Sequence, residues 1–257
     1  VGGGGTGTLT YSIVQLPGNL TGASTGVFTG IPAGTYNVRV TDANGCTITT
    51  PNIVITNPPA LTISGSVTSS YNGSQVSCNG SADGIITVTS TGGTGAVTYT
   101  LDQDPANVSG ATTGVFTGLV AGTYTITVRD ALMATVDLAV DISQPEPITL
   151  SFTTVNVRCR NEASGSATVI ATGGTSPYFY SWDTDPVQTS ATATGLTDGT
   201  YRVSVTDING CNTMESVVII QPNYELSVEV SAQNVLCTGG ESGRAIATVF
   251  GGTGPYS

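Results

Sequence analysis

The residues of this chain best equipped for chemistry are five cysteines, Cys46, Cys78, Cys159, Cys211 and Cys237, and two aspartate pairs. The pairs, Asp102/Asp104 and Asp183/Asp185, stand in the matching phrases "DQDP" and "DTDP". The 257 residues include no His and no Lys, so all six basic side chains are Arg. A Ser/His/Asp or Ser/Lys nucleophile system therefore has no base to build on. The cysteines show no C-x-x-C spacing, which, with His absent, argues against zinc. Paired carboxylates can do glycosidase-type acid–base work, but only where the setting raises one pKa. The text around Pro105 and Pro186 reads instead as hairpin tips, where Asp accepts local backbone hydrogen bonds. Calcium, which needs several clustered oxygens, is the weaker reading of these four residues. Asp42, Asp130 and Asp207 recur ahead of another turn and carry the same two readings. No catalytic residue and no cofactor are expected, and the chain is not read as an enzyme.

Charge narrows the partners further. The net charge is −11 and the pI about 4.1, with no basic stripe. Nucleic acid and anionic membrane surfaces both need clustered Lys or Arg and are excluded on that ground. No apolar run approaches the ~20 residues of a spanning helix, so membrane insertion is not expected. The opening "VGGGG" and the closing "GGTGPYS" read as strand-and-turn text caught mid-phrase, and the chain is expected to be a piece of a longer one.

The elements that position these residues are repeated. "TGIPAGTYNVRVTD" begins at Thr29, "TGLVAGTYTITVRD" at Thr117 and "TGLTDGTYRVSVTD" at Thr194. "GGTG" stands at Gly4, Gly92 and Gly251, with "GGTS" at Gly173. Proline-bearing joints recur around Pro58, Pro145 and Pro222. The period, about 80 residues, suits a whole small domain. Proline lacks the N–H that a central strand needs, so the joints are the natural cuts. They predict complete domains over 60–146 and 147–223, the C-terminal half of a domain over 1–59 and the N-terminal half of one over 224–257. Cutting at "GGTG" is the rival phase, and it splits a tight strand-turn-strand.

Thr, Val, Ile and Tyr at period-2 spacing, broken by turn residues every 8–12 positions, predict six or seven short strands per unit. The fold class is all-β, with tandem Ig-like, Greek-key β-sandwich domains arranged head to tail. The recurring phrase contains Ile31/Gly34/Tyr36, Leu119/Gly122/Tyr124 and Leu196/Gly199/Tyr201. This L-x-x-G-x-Y spacing predicts a tyrosine corner, with the Gly taking a backbone shape that a Cβ would hinder. Trp182 aligns with Ile13 and Leu101, so it reads as a core plug rather than a sugar platform.

"VSCNGSADGIITVTSTGGTGAVTYTL" (76–101) and "VRCRNEASGSATVIATGGTSPYFYSW" (157–182), followed by "AGTYNVRVTDANGC" (33–46) and "DGTYRVSVTDINGC" (198–211), resemble the SprB-type repeats of Bacteroidetes giant cell-surface proteins, the gliding-motility adhesin among them. The resemblance runs over essentially the whole chain. It implies an extracellular tandem array, exported by the type IX route and displayed at the outer surface in association with the outer membrane. It carries over no catalytic residue. The unit 60–146 departs from the pattern: "DALMAT" replaces "DANGCT", so a turn and its cysteine are expected to be missing there. The leading functional reading is a stalk or filament segment in adhesion or gliding motility, with neighbouring repeats as its partners. The alternative is a module that itself binds polysaccharide or an external surface. Contact with the export or motility machinery is a further partnership under the same resemblance.

Export favours disulfides, and the cysteines occupy two places. Cys78, Cys159 and Cys237 end the first strand of a unit, whereas Cys46 and Cys211 sit in the turn before its last strand. Some 12 strand residues at ~3.3 Å each span roughly 40 Å, which separates Cys159 from Cys211 within one domain. Bonded Cα atoms must approach within ~7 Å. Head-to-tail stacking brings Cys78 to Cys211 instead, stapling the joint at Pro145. The competing pair is Cys159–Cys211.

Overall fold

The computed structural model describes residues 4–252 and 254–256. The first three letters of "VGGGG", Thr253 of the last "GGTG" and the final Ser257 lie outside the described residues. The chain forms two compact units, one made of 1–62, 90–97 and 130–134, the other of 63–89, 98–129 and 135–257.

In the first unit, β1 (Thr10–Ile13), β3 (Val38–Thr41) and β4 (Thr47–Thr49) form one antiparallel sheet, while β2 (Gly34–Tyr36) pairs with β5 (Ile53–Ile55). Asn37 separates β2 from β3, and its side chain bonds Gln15, Asn52 and the Thr50 carbonyl in place of ladder partners. Pro51, which has no N–H to donate, lies between β4 and β5.

The second unit holds most of the next six strands, β6 (Thr62–Val67), β7 (Gly84–Thr91), β8 (Thr98–Leu101), β9 (Val115–Leu119), β10 (Gly122–Arg129) and β11 (Thr135–Ile142). They divide into sheets ordered β6-β7-β9 and β11-β10-β8. The same plan follows in β12 (Thr149–Val155), β13 (Gly165–Thr172), β14 (Tyr178–Trp182), β15 (Thr192–Leu196), β16 (Gly199–Asp207) and β17 (Asn212–Ile219), with sheets β12-β13-β15 and β14-β16-β17. In letters this is A-B-E facing C-F-G, the Ig-like arrangement expected from the strand text. A last antiparallel pair, β18 (Ser227–Gln233) and β19 (Arg244–Phe250), repeats A and B alone.

Alternation builds each core. Tyr124, Ile126 and Val128 on β10 are buried, while Thr125 and Thr127 between them face outward. On β16, Val203 and Val205 are fully buried opposite Trp182 and Tyr180 of β14. Trp182 is 1% exposed, meets Phe152 edge-on, and donates its indole N–H to the Ser190 carbonyl at 3.0 Å. Its aligned residues Ile13 and Leu101 are equally buried. Trp182 thus occupies a core position with its one polar atom satisfied.

The corner tyrosines each donate a hydroxyl hydrogen bond to the carbonyl four residues upstream: Tyr36 to Pro32 (2.9 Å), Tyr124 to Val120 (3.1 Å) and Tyr201 to Thr197 (3.2 Å). The glycine in the motif acts for two different reasons. Gly122 and Gly199 adopt φ of +153° and +157°, which side chains disfavour. Gly34 has no positive φ, but a Cβ there would stand 2.9 Å from the Tyr36 hydroxyl.

Candidate functional site

The polar residues that organise the fold are the aspartates at the end of strand F, and all three make one pattern. Asp207 Oδ1 accepts the amides of Asn209 and Cys211, both at 2.9 Å, and Oδ2 accepts the Thr175 amide at 2.8 Å. Asp130 receives Leu132 and Ala134 on Oδ1 (2.9 Å each) and Thr94 on Oδ2 (2.8 Å). Asp42 receives Asn44 (3.0 Å), Cys46 (2.8 Å) and Thr6 (3.2 Å) in the same way. One carboxylate therefore ties the F–G turn to the Thr of "GGTG" or "GGTS". Asp130 and Asp207, at 5% and 2% exposure, are the buried charges among the described residues. Burying a carboxylate is tolerable only when its oxygens are occupied, and three amides occupy these. In this structure each of these aspartates clamps its turn through backbone amides.

The "GGTG" turn itself is pinned to the proline joint. Gly174 donates to the Glu146 carbonyl at 2.7 Å, as Gly93 does to Pro59 and Gly252 to Tyr224. The preceding glycine passes so close that a Cβ on Gly173 would fall 2.1 Å from the Pro147 oxygen. Only glycine fits there. The phosphate-loop look of the phrase is a consequence of backbone crossing backbone.

The expected loss of a turn in "DALMAT" is corrected. The Asp130 amide still donates to the Ala134 carbonyl at 3.0 Å and Met133 to Asp130 at 3.1 Å, matching Asp207/Cys211 and Gly210/Asp207. Met133 takes the place of Gly210 at φ +69°, against +87° for the glycine. Only the cysteine is gone, replaced by Ala134. An L-residue in this region costs roughly 1–2 kcal/mol, offset by roughly 0.4–1 kcal/mol of unfolded-state entropy that a glycine adds. Met133→Gly is therefore expected to stabilise the chain by about 0.5–1 kcal/mol. Met133 is largely exposed, so little packing is lost. An unchanged or lower denaturation midpoint would refute this.

Cys78 and Cys211 are bonded, with Cα atoms 5.6 Å apart, and Cys159 is free and exposed, as are Cys46 and Cys237. Polar contacts surround the bond. Asn209 Nδ2 donates to the carbonyls of Tyr71 (3.1 Å) and Ser77 (3.3 Å), and its Oδ1 accepts Asn72 at 2.6 Å. Below the A strand, Asn79 Nδ2 donates to the Pro145 carbonyl at 3.0 Å, and the Gly80 amide donates to Gln144 Oε1 at 2.8 Å. Gln75 Oε1 accepts the Ser143 amide at 2.6 Å. Sequence reasoning missed Asn209 and Gln144. Their signals were present: "NG" before Cys46 and Cys211, and a Gln before Pro in both "ISQPEP" and "IIQPNY".

The calcium candidates Asp102, Asp104, Asp183 and Asp185 make separate local contacts. Among the described residues no three Asp, Glu, Cys or His side chains gather in a metal-holding group. Asp183 Oδ1 accepts the Arg202 amide at 2.8 Å, and the Asp183 amide donates to the Arg202 carbonyl at 3.0 Å. Asp185 stands exposed at the hairpin tip, ahead of Pro186, with only its neighbour Thr184 closing the turn through hydroxyl bonds to Pro186 and Gln188. Asp102 accepts the Thr127 hydroxyl at 3.4 Å, while the Asp104 carbonyl accepts the Asn107 amide. No helix of the described chain is long and apolar enough to cross a membrane. Of the aromatics between 60 and 223, Phe179 alone is largely exposed, so no aromatic row lies on either sheet face there.

The model of the SprB repeat matches three stretches, 70–105, 151–187 and 230–257. The first two run through the B and C strands of the two sandwiches, and the third takes in β19. Among solved structures the chain is similar to extracellular domains 3–5 of Drosophila OTK, at 15% identity over 74% of this chain and 71% of that one, with a TM-score of 0.30. It is also similar to the S-layer protein SbsC, at 15% identity over 95% of this chain and 43% of that one, with a TM-score of 0.33. A C-terminal fragment of intimin, solved in complex with the intimin-binding domain of its translocated receptor, matches at 13% identity over 74% and 60%, with a TM-score of 0.29. The chain thus spans less than half of the S-layer segment. No curated protein matches it.

Proposed function

We propose that this SprB-type repeat region is a stalk segment of a large surface adhesin: an extracellular array, anchored at the outer membrane, that holds an adhesive or motility-coupled region away from the cell. The observation that carries this reading is the stapled joint, where a disulfide and a set of polar bonds tie the loop between the A and B strands of one repeat to the F–G turn of the next and to the linker at Gln144–Pro145. A module whose task is recognition would spend its exposed residues on a ligand. Here the recurring phrases are spent on corners, clamps and joints. The repeats are bounded at the prolines, as 60–146 and 147–223, with half-repeats before and after. The chain is non-enzymatic on this reading, since its buried carboxylates are saturated by backbone amides and the sequence has no His or Lys.

Electron microscopy of cells displaying the parent polypeptide tests the proposal. Thin beaded filaments that a thiol reductant softens are the expected result. A compact globule at the surface would overturn it, and saturable binding of polysaccharide by the isolated chain would transfer the function to the alternative module.

A further inference from the structure

The F–G turn at 207–211 does not need the side chain of Asn209. The turn at 130–134 closes in the same way with leucine at that place. There the Leu132 amide donates to Asp130 Oδ1 at 2.9 Å, as the Asn209 amide does to Asp207 Oδ1. Asparagine and cysteine are nevertheless coupled across the three turns. Asn44 goes with Cys46 and Asn209 with Cys211, whereas Leu132 goes with Ala134. The asparagine side chain therefore answers to the cysteine rather than to the turn.

Asn209 uses both polar atoms of that side chain at the joint. Nδ2 donates to the carbonyls of Tyr71 and Ser77 at 3.1 and 3.3 Å, on the loop between β6 and β7 that carries Cys78. It also donates to Thr175 Oγ1 of its own repeat at 3.1 Å. Oδ1 accepts Asn72 Nδ2 at 2.6 Å. Three of these bonds cross between repeats, over sequence separations of 132 to 138 residues. The bonds from Asn79 to Pro145 and from Gly80 to Gln144 end on the linker, and a Ser74–Thr175 hydroxyl contact at 3.4 Å adds to the crossing.

Chain length alone would pair the cysteines differently. Cys211 lies 133 residues from Cys78, but 52 from Cys159 and 26 from Cys237. Loop closure falls off roughly as the three-halves power of length. In an unfolded chain Cys211 would thus meet Cys237 about twelve times, and Cys159 about four times, as often as Cys78. The observed pair needs the two repeats docked before the sulfurs meet.

We infer that Asn209 is the specificity-determining residue of this joint: its side chain docks the F–G turn on the β6–β7 loop of the preceding repeat and so selects Cys78 as the partner of Cys211. With glutathione disulfide as oxidant, the bond forms in two exchanges. The Cys78 thiolate attacks glutathione disulfide and expels one glutathione thiolate, and the Cys211 thiolate then displaces the second from the mixed disulfide. Both cysteine protons end on the two glutathiones, so two protein thiols are oxidised as one glutathione disulfide is reduced. Asn209 takes no part in the exchange and acts only by position. The inference rests on the stapled-array reading, which supplies the pair to be selected.

The test refolds the reduced, denatured chain at low concentration in a glutathione redox buffer. Peptide mapping then gives the pairings, and titration gives the equilibrium constant of Cys78–Cys211 against glutathione. In the unaltered chain this pair should dominate. Three neutral hydrogen bonds at the low end of their net worth correspond to about tenfold. Asn209→Ala and Asn209→Leu should each lower the constant by that factor, with Cys159–Cys211 and Cys211–Cys237 appearing in the map. Trp182 melting, recorded with Cys78→Ser in place so that the bond cannot contribute, should hold for Asn209→Leu, since the turn at 130–134 accepts leucine. Asn72→Gly retains the φ of +50° without strain and removes the amide donor. It should lower the constant about threefold and cost nothing further once Asn209 is changed. An unchanged constant and map in the Asn209 variants overturn the inference, as does additivity of the Asn72 and Asn209 changes. Should the Asn209 variants misfold, Asn72→Gly decides, and no fall there overturns it equally. If the unaltered chain lacks Cys78–Cys211, the stapled-array reading fails; if the pair is present and the variants keep it undiminished, only the inference fails.

Discussion

Stretched between its ends under oxidising conditions, the chain is expected to withhold the length of residues 79–210 and to release it only on reduction. The main chain reaches Cys78 in the loop between β6 and β7, and the disulfide leads directly to Cys211, just before β17. This shortcut bypasses a sequence separation of 133 residues, including every strand from β7 to β16. At ~3.5 Å per extended residue, the bypassed segment holds about 450 Å of contour length. Single-molecule extension should therefore show contour gains from the flanking segments alone, and the missing length should appear when a thiol reductant is added or when Cys78 is changed to Ser. Full release before reduction would refute the shunt.

The shunt also makes the joint doubly covalent. The peptide chain crosses at Pro145 and the disulfide crosses beside it, so a single cut of the exposed linker leaves the two repeats joined. Tension delivered at the joint passes down strand A and up strand G, the two outermost strands in sequence, while B, C, E and F hang off the path. Within one domain the pairing Cys159–Cys211 would have done the opposite, closing a loop inside a single sandwich and leaving the joint to the main chain alone. The stacking of repeats, rather than the sandwich itself, is what the bond reinforces.

The strands were legible in the text because they announce themselves by period 2. Tyr124 and Tyr201 could be placed by the spacing L-x-x-G-x-Y, and Trp182 by its alignment with Ile13 and Leu101. The sequence leaned toward Cys78–Cys211 but left Cys159–Cys211 open, because the distance argument assumed a strand of roughly 12 residues where β12 spans only Thr149–Val155. The clamps were not legible. Asp207 beside a turn looks the same in sequence whether it caps that turn or reaches across to Thr175, 32 residues away. The "DALMAT" turn was hidden for a related reason: glycine signals a positive φ, but a network of three amides on Asp130 holds Met133 there without one. Long-range satisfaction of a buried charge leaves no local letter.

Loss of the Asp207 carboxylate's hydrogen bonds is expected to destabilise the 147–223 sandwich strongly. Asp207→Ala orphans the amides of Thr175, Asn209 and Cys211 at a site 2% exposed. Each unsatisfied buried donor costs roughly 1–3 kcal/mol, so a total near 4 kcal/mol follows even if water reaches one of them. For a domain of this size that lowers Tm by roughly 15 °C or more, read by Trp182 fluorescence. Asp207→Asn separates charge from shape. Its Oδ1 keeps the Asn209 and Cys211 amides, but its Nδ2 faces the Thr175 amide donor to donor, so an intermediate loss is expected. Equal losses for Ala and Asn would mean that only the Thr175 link matters, and no loss for Ala would refute the clamp. Acid should reproduce the effect at the equivalent sites. The Thr94 amide foremost, then those of Ala134 and Leu132, hold the Asp130 carboxyl below its ordinary 3.8 against the upward push of burial. The Cys46 amide, followed by Thr6, does the same for Asp42. A carboxyl whose folded pKa lies below its unfolded value stabilises fully above that unfolded value, and the contribution fades as pH falls through the folded one. Stability should therefore be flat from neutrality to about pH 5 and drop below about pH 4, and Asp130→Asn should flatten that drop while lowering the plateau.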